Sequence, residues 1–258
     1  QSMERHETMK PFSQILIAMV GKPARGKTHI ARKIVRYLNW RGSKAQVFNV
    51  GNYRRKHLGA SQPAAFFDPA NPKGVAARKK MAIAALEDLK NWMDNGGRVA
   101  VYDATNSNRS RRQMIREFAS NNQWQVIFIE SICSDTEIVE ANILETKVSS
   151  PDYRGVSEPD ALADFRERID YYSKAYEPLG GNEGSWVKII DVGRQVITNE
   201  ITGYLPSRLV FFLMNLHIAP RTIWLTRHGQ SEFNKAGLIG GDSSLSNAGQ
   251  AFAIDLAD

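Results

Sequence analysis

Residues 21–28 read GKPARGKT, and the spacing GxxxxGK[ST] is that of a loop that wraps phosphate. Gly21 and Gly26 let the backbone turn tightly enough for successive N–H groups to face phosphate oxygens. Lys22, Pro23, Ala24 and Arg25 fill the turn between them. Lys27 is placed to reach the β- and γ-phosphates, and the Thr28 hydroxyl to ligate Mg²⁺. A second metal ligand is expected at Asp103, which closes the apolar run RVAVYD (98–103). An acid at the end of a buried strand holds Mg²⁺ directly or through water in such sites. The two features together predict a bound nucleoside triphosphate, ATP, with Mg²⁺.

The arginines suggest where a transferred phosphoryl group would go. Arg54 and Arg55 follow a second apolar run, Arg78 opens a long helical pattern, and Arg109, Arg111 and Arg112 come shortly after Asp103. Guanidinium forks suit phosphate oxygens, so an acceptor that already carries a phosphate would fit these three clusters.

Alternating elements must position these groups. ILIAMV (15–20), AQVFNV (45–50), RVAVYD (98–103), QVIFIES (125–131) and WVKIIDV (186–192) read as strands, and QVITNEI is positioned to pair with the last. Thr28–Trp40, Val75–Asn95, Arg109–Asn121, Asp135–Thr146 and Asp160–Tyr176 read as helices, and LPSRLVFFLMNLHI as a closing helix. GNYRRKHLG and the proline-bearing stretch after it read as one long loop. Strands separated by helices of this length predict a mostly parallel sheet with helices on both faces and ligands beyond the strands' carboxyl ends. After Pro220 a new strand–loop–helix unit begins, and it is too short to bury its own core by Asp258.

The chain has 258 residues, 42% of them hydrophobic and 24% charged, as in globular proteins. No apolar run approaches a membrane span of roughly 18 residues, and Gln1–Lys10 lacks the apolar core of a signal peptide. A single cysteine excludes an internal disulfide framework and favours a reducing, cytoplasmic setting. The net charge of +7 admits a nucleic-acid or small-anion partner. There is no zinc-finger spacing, no interleaving of aromatic and basic residues and no long basic tail, so neither nucleic acid nor membrane is expected as a partner.

GKPARGKT, RYLNWRG, VFNVGNYRR, YDATNSNRSRR, FIESIC, KVSSPDY, IIDVG, FFLMNLHI, LTRHGQ and IGGDSSLS together resemble the bifunctional 6-phosphofructo-2-kinase/fructose-2,6-bisphosphatase family. The resemblance runs from about Phe12 to the end. It implies a disordered tail (1–11), a P-loop kinase domain (12–219) and the truncated start of a phosphoglycerate-mutase-like histidine-phosphatase domain (220–258). It implies phosphoryl transfer from ATP to the 2-hydroxyl of fructose 6-phosphate, and a homodimer formed through kinase domains. ATP would lie on Gly21–Thr28, with further contacts from Asn142, Ile143, Leu144, Glu145, Thr146 and Lys147. Fructose 6-phosphate would be held by Arg54, Arg78, Thr105, Arg111, Lys147, Arg168 and Tyr172. Asp103 and Cys133 match active-site positions of the family; Asp103 either orients the metal or accepts the hydroxyl proton. His228 matches the phosphate-accepting nucleophile of the second domain and Arg227 its phosphate clamp. The acid and second histidine of that site come from later sequence in the family, so phosphatase activity is not expected of this stretch. The alternative reading is another small-molecule or polynucleotide kinase on the same fold.

Overall fold

The structure, a computed structural model, describes residues 14–145, 150–216 and 225–257. The chain divides into two compact units, Gln1–Ile218 and Ala219–Asp258.

The first unit is built on a six-stranded sheet. In chain order its strands are β1 (Ile15–Val20), β2 (Ala45–Asn49), β3 (Val99–Asp103), β4 (Gln125–Ile132), β5 (Trp186–Ile190) and β6 (Gln195–Asn199). Their spatial order is β2-β3-β1-β4-β5-β6, parallel throughout except for antiparallel β6. The helices are α1 (Lys27–Trp40), α2 (Val50–Leu58), α3 (Pro72–Asp94), α4 (Arg109–Asn121), α5 (Thr136–Ile143), α6 (Glu158–Lys174) and α7 (Tyr204–Met214). A short 3₁₀ turn, Ala64–Phe67, lies between α2 and α3.

β1 is buried along its whole length because both sheet faces are covered. Ile15, Ile17 and Met19 pack with α1 and α7, through residues such as Ile34 and Leu209. Leu16, Ala18 and Val20 pack with α3 and α4, through residues such as Leu86 and Ile115. Strand side chains alternate faces, so an unbroken apolar run is what a two-sided burial requires. The chain leaves β1 for β2 and β3 on one side and reaches β4 on the other. The carboxyl ends of β1, β3 and β4 therefore frame the crevice in which such sheets take ligands.

Most helix ends match the sequence reading within a few residues. The stretch GNYRRKHLG does not: it is α2 rather than loop, and β2 stops at Asn49. The Asn49 side chain accepts the Asn52 amide at 3.1 Å and caps the helix. Arg55, Lys56 and His57 lie in its last turn, where cations suit the carbonyl end of the helix dipole.

Candidate functional site

At the end of β1 the chain bends at Gly21, whose φ is 136° and whose amide donates to the Thr105 carbonyl at 2.9 Å. A Cβ there would stand 2.6 Å from the Ser131 carbonyl oxygen, so only glycine fits between β1 and the end of β4. Ala24 and Gly26 are also left-handed, at φ 57° and 77°. The carbonyls of this turn are tied down by side chains. Those of Lys22 and Pro23 accept from Lys27 Nζ and Arg25 Nη1, and those of Ala24 and Arg25 from Asn142 Nδ2 and the Ser131 hydroxyl. In a trans peptide the N–H points opposite to the carbonyl. The amides of Ala24, Arg25 and Gly26 are thereby turned away from those partners, to the other side of the loop. Directly after them α1 begins with no side-chain cap and no acid in its first turn. Its positive end is left for an anion.

Lys27 is the first residue of α1 and is nearly buried. Thr28 follows it, half-buried. Asp103 ends β3 in register with Asn49 and is 2% exposed; Asn49 Nδ2 donates to its Oδ2 at 2.5 Å. That bond orients the carboxylate and leaves Oδ1 as an acceptor. A threonine hydroxyl and a carboxylate are hard oxygen donors of the kind Mg²⁺ takes, and Mg²⁺ usually keeps waters and phosphate oxygens as its other ligands. The cradle that excludes a Cβ at Gly21, together with this donor set, fits a triphosphate with Mg²⁺.

Beyond the loop, Arg54, Arg78, Arg168 and Tyr172 meet around the Ala64–Phe67 turn, with Arg111 close to Arg78. Arg54 comes from α2, Arg78 from α3, Arg111 from α4, and Arg168 and Tyr172 from α6. The Arg54 and Arg168 guanidiniums lie 5.5 and 4.6 Å from the Phe67 ring centre, and the Tyr172 ring is 6.0 Å from it. Arg78 Nη1 donates to the Phe66 carbonyl, and its guanidinium is 5.7 Å from the Phe66 ring. Burial lowers the pKa of Arg78 first, with Arg111 adding repulsion and Tyr172 opposing it, which places both beside Arg78. Arg111 also lies close to the buried Tyr102 phenol, which donates to the Ala82 carbonyl at 3.0 Å. One carboxylate organises the rest. Asp152 Oδ2 pairs with Arg54, with Arg55 at 3.5 Å and with Arg168 at 3.8 Å. Arg168 is fixed further by Asp164 at 2.7 Å and the Gln62 carbonyl at 2.6 Å. Arg54 is buried, which lowers its pKa ahead of the opposing pull of Asp152, and its Nη1 has no partner. A buried guanidinium nitrogen without an acceptor is costly unless a water or a ligand completes it, and Asp152 Oδ1 likewise has no partner.

The other predicted residues are placed as follows. Thr105 sits in the turn after β3, where its carbonyl receives the Gly21 amide. Asn142 reaches the phosphate loop through the Ala24 carbonyl at 3.3 Å. Ile143 points into an apolar cluster with Val139 and Phe165, while Leu144 and Glu145 are exposed. Thr146 and Lys147 lie outside the described residues. Cys133, half-buried after β4, offers its carbonyl to Arg25 Nε at 2.9 Å. Burial pushes its thiol up despite the opposing pull of the Asp135 backbone and the charge of Arg25, so the neutral thiol is favoured.

The Arg109–Arg112 cluster does not act as one group. Arg112 is fully buried and makes a two-pronged pair with Glu183, at 2.5 and 2.9 Å, while its Nη1 donates to the Asn106 and Glu177 carbonyls. It braces the turn after β3 and does not face an acceptor. Successive helix residues point about 100° apart, which separates it from Arg111. Its place on the buried stripe Arg112, Ile115, Ala119 was a signal present in the sequence. Arg109 is exposed, with its amide bonded to Glu177.

Several contributors escaped sequence reasoning: Asn49, Phe67, Asp152, Asp164 and Glu130. The last is fully buried in β4 and accepts from the Tyr176 hydroxyl and the Leu179 amide. A charged residue inside the apolar run QVIFIES was its only local mark.

In the second unit, residues 221–224 of the expected strand lie outside the described residues, and Leu225–Gln230 is not strand. Helices α8 (Glu232–Lys235) and α9 (Asn247–Asp255) follow. Gly229 and Gly249 pack so closely that a Cβ on either would meet backbone at 2.3 or 2.1 Å. His228 is exposed, with Nδ1 2.8 Å from the Gly229 carbonyl. A carbonyl can only accept, so that contact requires the proton on Nδ1 and leaves the lone pair on Nε2. Arg227 beside it is exposed.

A family model described as 6-phosphofructo-2-kinase matches residues 4–220. The chain is 47% identical over 250 residues to 6-phosphofructo-2-kinase/fructose-2,6-bisphosphatase 3 of Homo sapiens, covering 95% of this chain and 48% of that protein. It is 46% identical over 246 residues to form 4 of Rattus norvegicus, covering 94% and 52%. Against 6-phosphofructo-2-kinase/fructose-2,6-bisphosphatase of Caenorhabditis elegans it is 45% identical over 253 residues, covering 94% and 55%. The chain spans about half the length of the curated relatives it matches.

Proposed function

Because the chain belongs to the 6-phosphofructo-2-kinase family, we propose that it transfers the γ-phosphoryl group of ATP to the 2-hydroxyl of fructose 6-phosphate. The observation that carries this reading is the gathering of Arg54, Arg78, Arg168 and Tyr172 around one 3₁₀ turn, with Arg111 close to Arg78 and a buried Arg54 nitrogen lacking an acceptor. Four separate helices supply these groups, and a sugar phosphate offers the oxygens they want.

The phosphate loop grips the triphosphate through the amides of Ala24, Arg25 and Gly26 and the open end of α1. Lys27 supplies positive charge to the transferred group. Thr28 and Asp103 would hold Mg²⁺, which neutralises charge on the β- and γ-phosphates. The arginines hold the 6-phosphate and so direct the sugar's 2-hydroxyl. The bond from that oxygen to the γ-phosphorus forms as the bond to the β-phosphate bridging oxygen breaks. The hydroxyl proton leaves to water. Since phosphoryl transfer passes through a loose transition state, positioning and charge neutralisation supply most of the rate. Cys133, held neutral, has no part in this transfer; it supports Arg25 through its carbonyl.

Residues 12–219 act as the kinase unit in this reading, two copies associate, and the enzyme works in the cytoplasm. Among the described residues no helix is long and apolar enough to cross a membrane. His228 and Arg227 belong to the opening of a phosphatase domain and contribute no kinase step.

The test is direct formation of acid-labile fructose 2,6-bisphosphate from ATP and fructose 6-phosphate, with Lys27→Ala as control. A panel of other phosphorylated acceptors, nucleic-acid ends included, runs beside it. Transfer to one of those acceptors and not to fructose 6-phosphate sinks the reading.

A further inference from the structure

The segment that leaves α6 connects the two halves of this site. Tyr172, near the helix end, stands among the arginines against Phe67. Tyr176, four residues on and just past the helix end, has left that cluster and lies under the phosphate loop, its ring centre 5.4 Å from Lys22 Nζ. Its hydroxyl donates to Glu130, the fully buried carboxylate on β4. Glu130 pairs in register with Val20, the residue before Gly21. It also accepts the Leu179 amide at 3.2 Å and faces Lys188 at 3.5 Å. The Glu177 amide donates to the Ser107 carbonyl at 2.7 Å. Burial, with Glu130 adding to it, pushes the Tyr176 phenol up, so the hydroxyl stays a neutral donor.

We propose that Tyr176 is a positioning residue that couples the acceptor site to the phosphate loop. Its ring meets the loop at Lys22, its hydroxyl is anchored on the strand beside that loop, and it lies two residues beyond the end of the helix that carries Arg168 and Tyr172. A sugar phosphate that draws those two side chains moves the end of α6 against the loop. The binding of each substrate then alters the affinity for the other, and by reciprocity to the same degree. This rests on the assignment of ATP and fructose 6-phosphate as substrates.

The experiment titrates the protein calorimetrically with adenylyl imidodiphosphate and Mg²⁺, with and without saturating fructose 6-phosphate. The ratio of the two dissociation constants is the coupling. The wild type is expected to show a ratio of at least about fivefold, the lower end of the usual range. Tyr176→Phe keeps the ring under Lys22 and removes only the anchor on Glu130; Lys22→Ala removes the ring contact and keeps the anchor. Each is expected to cut the ratio by at least about half, and the double variant to match the stronger single one, because both act on one link. A brace without a coupling role would lower the melting temperature of Tyr176→Phe and leave the ratio at its wild-type value, which overturns the proposal. A wild-type ratio of one overturns it too, while fructose 6-phosphate still binds. A wild type that binds no fructose 6-phosphate overturns the substrate assignment itself.

Discussion

Gly21 and Gly26 are both glycines of the phosphate loop with positive φ, yet alanine should affect them very differently. At Gly26, φ 77° and ψ 2° are left-handed and a Cβ would have nothing within 4 Å. The cost there is conformational alone, about 1–2 kcal/mol. At Gly21, φ is 136° and a Cβ would stand 2.6 Å from the Ser131 carbonyl oxygen. Backbone strain of about 1–3 kcal/mol is joined by a forced displacement of β4 or the loop, about 1–3 kcal/mol more. The contact is with backbone, so no side chain can swing aside to relieve it. The sum is about 2–6 kcal/mol, and at roughly 2–4 °C per kcal/mol for a unit of this size Gly21→Ala should melt on the order of 10 °C lower. Gly26→Ala should lose roughly half of that or less. Differential scanning calorimetry of both variants without nucleotide reads the difference. If Gly21→Ala melts within about 2 °C of the wild type, or above Gly26→Ala, the account of this loop as a glycine-only wedge between β1 and β4 is wrong.

Three further outcomes are expected. Arg112→Met should destabilise the protein by about 3–5 kcal/mol, because it leaves Glu183 buried without its partner. Its neighbour Arg111→Met should unfold near the wild-type urea midpoint and weaken fructose 6-phosphate binding instead; equal midpoints for the two variants would contradict the division made between them. Cys133→Ser should keep kinase turnover within about threefold, a change of under 1 kcal/mol in the barrier, and the wild-type thiol should be alkylated by iodoacetamide at pH 7.5, roughly a unit below a free thiol's pKa, more slowly than a free cysteine; fast alkylation would mean a thiolate that burial does not allow. Tyr53, which donates to Asp88 at 2.9 Å, has its phenol pushed up to about 12 by burial and by that carboxylate. Its share of stability is fully present below about pH 10, the unfolded tyrosine pKa, and is lost as pH rises through about 12. Tyr53→Phe should therefore flatten the alkaline fall in melting temperature, and an unchanged slope would refute the assignment.

What the sequence made legible follows from how far apart the cooperating residues lie. The phosphate loop is eight consecutive residues with a strand before and a helix after, so local chemistry declares it. Asp103 was readable because a strand end carries its own signature. The helix α2 was not, since VGNYRRKHL has no apolar stripe and only Arg54 of it is buried; its cap at Asn49 was the available hint. Asp152 and Glu130 are joined to partners 98 and 46 residues away. No local pattern encodes such pairings, and only the resemblance pointed to Arg168 and Tyr172. The division of Arg111 from Arg112 shows the reverse failure. A run of like charges was read as a patch, whereas the turn of a helix sends adjacent residues to different destinations.

The single ring of Phe67 receives one cation from α2 and another from α6, elements more than a hundred positions apart in the chain. A fragment that ends before α6 cannot assemble that arrangement, and a nascent polypeptide lacks it until α6 has docked. Under the proposed function, a sugar phosphate would bind only once both elements are in place. By mass action such a ligand would draw the population toward complete folding and shelter the protein from proteolysis.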